Sequence, residues 1–294
     1  MKTFCVKPLV FFTLLIGSSL PGFCYGFVNP VVERKLELGV SVRASSRVSM
    51  DKVDHSTWDK LLQKFVNENG GVDYASWNSS QQDIRLLDQY LATLSTATKS
   101  NSSRNGRMAF WINAYNAVTV KGILQEYPTS SIRNHTGRLF GYNIWKQLLL
   151  HVDGKKVSLD AIEHQILRPM KDPRIHFAIV CASKGCPRLL NRAYLPESLS
   201  NQLDNNARNF FSQSQNFQYS PVRKQFRLSS ILSWFGTDFG SSQVAQLNSI
   251  ATYLPTAQAK AAARSNSVSV TYLEYDWSLN EQINATALSR TQNR

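Results

Sequence analysis

The sequence predicts an α+β fold, a single domain in which a small, largely antiparallel central sheet is surrounded by about seven or eight helices. Several stretches between residues 51 and 264 repeat apolar residues at helical spacing. Strand-like runs are few and short, and two pairs of them face each other across turn residues, at Asp153-Gly154 and at Pro221 to Lys224. Strands and helices do not alternate regularly, which disfavours a doubly wound parallel sheet. With 294 residues and 43% apolar content the chain can bury a substantial core.

Taken in order, residues 1–26 have the pattern of a secretory signal. Lys2 and Lys7 make a basic start, and Leu9 to Leu20 an apolar core too short to span a bilayer. Residues 27–50 show neither helical nor strand period and are expected to be a linker or a second targeting segment. Phe27 with nearby Pro30 resembles a bipartite plastid presequence. The expected localisation is the secretory pathway, extracellular or periplasmic-type, or a plastid reached through such a presequence. Sequons at Asn78, Asn101, Asn134 and Asn284 are compatible with that route. No other apolar run is long enough to cross a membrane, so no transmembrane span is expected after signal removal.

The domain is expected over 51–283, followed by a frayed polar tail, 284–294. Residues 51 to 67 fit an amphipathic helix with Trp58, Leu61, Leu62 and Phe65 inward. Val72 to Trp77 reads as a short extended piece, and 82 to 95 as a second helix. Arg107 to Gln125 is apolar on nearly every side, as a central buried helix would be. Its Asn113 and Asn116 need partners, because a bare buried amide costs about 1–3 kcal/mol. Either they bind a loop backbone, or one of them faces a site and positions a substrate.

The hairpin at 148–157 leads to Ser158, which caps a short helix, Leu159 to Arg168, with Leu159, Ile162 and Ile166 inward. Asp160, His164 and Arg168 share a face at i, i+4 spacing. After this come a helix at 196–211, the 217–228 hairpin and helices at 230–235, 243–253 and 257–263. Val268 to Trp277 reads as a strand pairing with the central one.

The chemically suggestive stretch is Arg174-Ile-His-Phe-Ala-Ile-Val-Cys-Ala-Ser-Lys-Gly-Cys-Pro-Arg188. Ile175 to Val180 reads as a strand buried on both faces, and Pro187 as the first turn of a helix. Cys186 would then sit at a helix N-terminus, where the dipole favours a thiolate. On such a strand His176 and Cys181 are roughly 16 Å apart on opposite faces, which excludes them as a pair.

Four segments together are similar to one family. They are Phe110-Trp-Ile-Asn-Ala-Tyr-Asn-Ala117, Ser158-Leu-Asp-Ala-Ile-Glu-His-Gln-Ile-Leu-Arg168, Ile175-His-Phe-Ala-Ile-Val-Cys-Ala-Ser-Lys-Gly-Cys-Pro187 and Tyr275-Asp-Trp-Ser-Leu-Asn280. Their order and spacing, over about residues 55–281, resemble the DUF547 domain family, whose function is uncharacterised. The resemblance implies functional positions at Asn113, Tyr115 and Asn116, at Glu163, His164 and Arg168, and at His176, Cys181, Ser183, Cys186 and Pro187.

Two functional readings follow. The first is a thiol-dependent hydrolase or acyl/amide transferase. Cys186 or Cys181 is its nucleophile, His164 the base oriented by Asp160 or Glu163, and Asn113 or Asn116 an oxyanion donor. Tyr115, Arg168, Ser183 and His176 would help to hold the substrate. The second is a non-catalytic module that binds a small molecule or peptide, with Cys181 and Cys186 in a structural disulfide. They are the two cysteines left after signal removal, and a secretory compartment is oxidising. No cofactor and no metal are expected. His164, Cys181 and Cys186 could be weighed as ligands, but the Cys-x4-Cys spacing is a weak zinc signal. The net charge of +13 favours anionic surfaces, yet no dense basic run with interleaved aromatics points to nucleic acid.

Overall fold

A computed structural model describes residues 36–136 and 142–282, all within one compact unit. The expected signal and the polar tail lie outside the described residues. Eleven α-helical segments and three small sheets among these residues make the fold α+β.

The expected central antiparallel sheet is not there. One sheet pairs Leu36–Leu38 in parallel with Leu148–Val152, which pairs antiparallel with Lys155–Ser158. A second is a two-residue parallel contact between Val48–Ser49 and Ala97–Thr98. The third pairs Phe217–Ser220 antiparallel with Gln225–Leu228, and that strand in parallel with Ser269–Tyr272. The centre belongs instead to the helix Arg104–Glu126, which is buried from Met108 to Leu124. A helix apolar all round leaves no room for a sheet in the middle. The helices Ser56–Phe65 and Gln81–Leu94 pack around it and bury Trp58, Leu61, Leu62, Phe65, Leu87, Tyr90 and Leu91.

Residues 36–50, set aside as linker, take part in the fold. Leu36–Leu38 joins the first sheet, and Met50 is buried. Val72 to Trp77 is not extended, because Asp73 caps a helix Tyr74–Ser79 by accepting from Ser76 N. The hairpin at Asp153-Gly154 is as read. Both residues have positive φ, 52° and 76°, as a two-residue turn that follows the strand twist requires.

After the hairpin Ser158 caps as expected, but the helix is not regular. Leu159–Ala161 is α, Ile162–Leu167 is a wide π turn, and Arg168–Met170 is 3-10. The π turn brings residues five apart onto one face. Leu167 therefore joins Ile162 in the core in place of Ile166.

The largest correction concerns Ile175 to Val180. These residues are not a strand. Asp172 and Pro173 start a 3-10 helix, Pro173–Phe177, with Asp172 Oδ1 accepting from Arg174 N. An irregular buried chain follows, and its backbone polar groups are met by a side chain. Asn116 Nδ2 donates to Ala178 O at 3.0 Å, and Asn116 Oδ1 accepts from Val180 N at 2.9 Å. No helix begins at Pro187 either. The chain stays irregular until Leu199–Ser212. Asn113 holds that stretch through both the N and O of Tyr194, at 2.9 and 2.8 Å. Ser269–Tyr272 pairs with the 225–228 strand and not with the cysteine segment.

The core falls into two apolar clusters. Ile175, Ala178, Ile179, Val180 and Cys186 belong to the one around the central helix. Phe177 belongs to the other, with Phe210, Phe211, Phe226 and Phe239. The cysteine segment thus threads between the two clusters.

Candidate active site

Cys181 and Cys186 close a tight loop. Ala182 takes a left-handed conformation, φ 56°, which costs an alanine about 1–2 kcal/mol. The loop is fixed from outside by Asp276–Asn280, which runs alongside it. Lys184 N donates to Ser278 O, Gly185 N to Asp276 O, and Asn280 N to Ala182 O. This pairing carries Tyr275 over the loop. A Cβ on Gly185 would lie 2.9 Å from the Tyr275 ring and 3.0 Å from Asp276 N, so only glycine admits the close approach.

Inside the loop four donors converge on one sulfur. Cys181 N donates to Cys186 Sγ at 3.0 Å, and Ser183 Oγ donates at 3.4 Å. Tyr275 Oη lies 3.1 Å and Cys181 Sγ 2.7 Å from the same atom. Burial opposes the Cys186 anion most strongly. The hydrogen bonds from Cys181, Ser183 and Tyr275 outweigh it and bring the thiol down to about 6. Cys181 moves the opposite way, because its proton is held by Cys186 and burial disfavours a second charge. The pair therefore carries one charge, on Cys186, and burial keeps Tyr275 a phenol that can donate. The thiolate rests on side chains and one amide, not on the expected helix dipole.

The sulfurs face a cleft of about 210 Å³, lined among others by Tyr115, Glu163, His164, His176, Cys181 and Cys186, with Trp145, Trp234, Phe235 and Trp277 as aromatic walls. His176 and Cys181 therefore share one cleft. Their exclusion as a pair fails because the backbone between them is not an extended strand. His176 Nε2 lies 2.8 Å from Asp238 Oδ2, and its ring stacks on Phe235 at 4.2 Å. The Asp238 carboxylate accepts from His176 Nε2–H, which leaves the lone pair on Nδ1. Asp238 is itself held by Arg168, whose Nε and Nη2 donate at 2.6 and 2.9 Å. Burial lowers His176 and keeps the ring neutral, against the pull of Asp238.

Glu163 lies on the π turn, where burial raises its pKa. Tyr115 Oη is 3.4 Å from its Oε2. His164 sits at the rim, with Nδ1 3.1 Å from Arg168 Nη1. A guanidinium can only donate, so Nδ1 accepts and the proton is on Nε2. The expected Asp160 partner is 3.9 Å away and half-exposed, a weak orienter.

The structure thus gathers Tyr115, Glu163, His164, His176, Cys181 and Cys186 along one cleft, with Ser183 under the sulfurs and Arg168 behind Asp238. Asn113 and Asn116 are absent from its lining. Their amides are engaged by Tyr194, Ala178 and Val180, the loop-backbone alternative named above. His164, Cys181 and Cys186 do not gather as metal ligands. Among the described residues no group of three or more His, Cys, Asp or Glu is placed to hold a metal ion. Cys181 and Cys186 are free cysteines whose sulfurs lie 2.7 Å apart, and no disulfide joins them here. No helix among the described residues is long and apolar enough to cross a membrane.

Sequence reasoning missed Tyr275 and Asp238 as site residues. The Tyr275 segment was visible as one of the recurring motifs. Asp238 lies 62 residues from the histidine it serves, in a short helix, Gly236–Phe239, with no local pattern to mark it.

Residues 99–211 match the profile of the family described as "Protein of unknown function, DUF547". The match covers the central helix, the 148–158 hairpin, the Glu163 turn and the cysteine loop, and is narrower than the resemblance read over 55–281. Tyr275 and Asp238 lie outside it. Comparison with curated proteins returns no match, and neither does comparison with solved structures.

Proposed function

On a chain that carries a DUF547 domain at residues 99–211, we propose thiol-dependent acyl transfer, hydrolytic or to an acceptor, with Cys186 as nucleophile. The observation that supports it is the four-donor seat of Cys186 Sγ on the wall of a cleft that also holds a carboxylate-bound histidine. In the first half, Cys186 Sγ bonds to the acyl carbon. The bond to the leaving group breaks, and Glu163, which burial keeps protonated to higher pH, gives that group its proton. In the second half, His176 Nδ1 takes a proton from water or an acceptor, which attacks the thioester. The S–C bond breaks, Cys186 returns as thiolate, and the proton on His176 restores Glu163. Burial sets this division of labour: it raises Glu163, which holds its proton longer, and lowers His176, which stays a neutral base. His164 Nε2–H is the donor assigned to the carbonyl oxygen. It replaces Asn113 and Asn116, whose amides are spent on backbone.

The test is labelling of reduced protein with a panel of aryl esters and thioesters, read by intact mass and peptide mapping. An acyl adduct on Cys186, absent from Cys186→Ala, supports the reading. No adduct in the wild type, or the same adduct in Cys186→Ala, overturns it.

The binding-module alternative is favoured by one observation: Cys186 is only 8% exposed, beside an aromatic-walled cleft. A small molecule retained through purification and released unchanged from the native protein, together with failed labelling, would select it. The secretory or plastid destination read from residues 1–50 is part of this proposal, and intact mass of protein from its native source tests it.

A further inference from the structure

We infer that the same two sulfurs form a second reactive centre, for organic hydroperoxides, in which Cys186 is oxidised and Cys181 resolves it. This rests on the reading of Cys186 as the reactive sulfur, but it gives Cys181 a bond-forming role that acyl transfer does not use.

Acyl transfer needs one sulfur. Here a second lies against the first, 2.7 Å away, and its own amide donates to the first sulfur. Beyond its hydrogen bonds to the Cys186 thiolate, such a neighbour forms no bond in a thioester cycle, whereas a two-cysteine oxidation cannot close without it. Tyr275 Oη contacts both sulfurs, at 3.1 and 3.3 Å, and Ser183 Oγ at 2.9 Å. A hydroxyl in that position can donate to the departing oxygen of a peroxide. Ile179, Ile231, Trp234 and Trp277 give the cleft beside the sulfurs an apolar part, next to the polar Glu163, His164 and His176. That apolar part suits the organic group of an alkyl or aryl hydroperoxide better than a second hydroxyl.

The chemistry balances. Cys186 S⁻ attacks the terminal oxygen of ROOH. An S–O bond forms, the O–O bond breaks, and RO⁻ takes a proton from water and leaves as ROH. Cys181 then attacks the sulfur of Cys186–SOH. An S–S bond forms, the S–O bond breaks, and hydroxide leaves as water with the proton of Cys181. The two cysteines together lose two electrons, the peroxide gains them, and an external dithiol reduces the disulfide to begin again.

The test treats reduced full-length protein with cumene hydroperoxide or hydrogen peroxide, blocks remaining thiols with an alkylating agent, and follows intact mass and peptide maps over time. The expected result is loss of both thiols together as a Cys181–Cys186 disulfide, fully reversed by dithiothreitol in the folded state. Cumene hydroperoxide should react about tenfold faster than hydrogen peroxide, the effect of burying a small apolar group. In Cys181→Ser, a sulfenic acid on Cys186 should build up and be trapped by dimedone. Three results overturn the inference: over-oxidation of Cys186 in the wild type with no disulfide, loss of Cys181 at the same rate in Cys186→Ser, or a disulfide that dithiothreitol opens only on unfolding. The wild-type measurements stand alone if a variant fails to fold. Acyl labelling and disulfide formation are separate masses on the same protein, so either reading can fall without the other.

Discussion

Replacing Tyr275 with Phe removes one hydroxyl and leaves the ring that packs on Gly185 and Trp277. The hydroxyl is 3.1 Å from Cys186 Sγ. A hydrogen bond to a charged acceptor in a buried place is worth about 1.5–3 kcal/mol, and each 1.36 kcal/mol moves a pKa by about one unit. Cys186 should therefore rise from about 6 to about 7–8 in Tyr275→Phe. At pH 7 the thiolate fraction would fall from about nine-tenths to between about one-half and one-tenth. Ser183→Ala, whose contact is longer at 3.4 Å, should shift it in the same direction by less. The assay is the rate of alkylation of reduced protein against pH, with Cys186 followed by peptide mapping, and thiolate absorbance as a second readout. An unchanged midpoint in Tyr275→Phe, with the fold intact by circular dichroism, would refute the donor seat as the source of the low pKa.

Asn116→Ala should cost about 2–4 kcal/mol in denaturant unfolding, because it leaves Ala178 O and Val180 N buried without partners; a loss under 0.5 kcal/mol would mean that the clamp is replaced by water. Asp238→Asn should lower acyl turnover about a hundred- to ten-thousand-fold through loss of the His176 orienter, while the alkylation midpoint of Cys186 stays at its wild-type value. The Arg168 hydrogen bonds, then those of His176, hold Asp238 below the usual carboxylate range. A depressed folded pKa gives stability that is fully present above the unfolded value, near 4, and that is lost as pH falls through the folded value. Unfolding free energy measured from pH 5 to pH 2 should thus drop more steeply in the wild type than in Asp238→Asn. Gly185→Ala should weaken the cysteine loop and displace Tyr275, raising the alkylation midpoint as Tyr275→Phe does.

What could be read from the chain alone followed local rules. The turn at Asp153-Gly154 needs two residues of positive φ and has them, and the all-round apolar helix could only be central. The two cysteines lie together because the chain turns back between them at Ala182. The strand at 175–180 was misread because an apolar run meets the same burial requirement in any backbone shape. What decided its form was Asn116, 62 residues before Ala178, supplying through a side chain the hydrogen bonds that a sheet would have given. His176 and Cys181 were then separated on paper by a rise per residue that a 3-10 turn does not have. Asp238 and Tyr275 reach the site through tertiary packing, which no spacing rule registers.

The wide turn at Ile162–Leu167 carries a conflict between local comfort and chemistry. Taking out one residue there would return the segment to ordinary α geometry, with better-aligned backbone hydrogen bonds. It would also re-space the side chains of the turn itself, moving Glu163 and His164 relative to the cleft they line. A chain shortened in this way should melt at the same or higher temperature and yet be inert, so a search that rewards thermal resistance alone would drift toward losing the site.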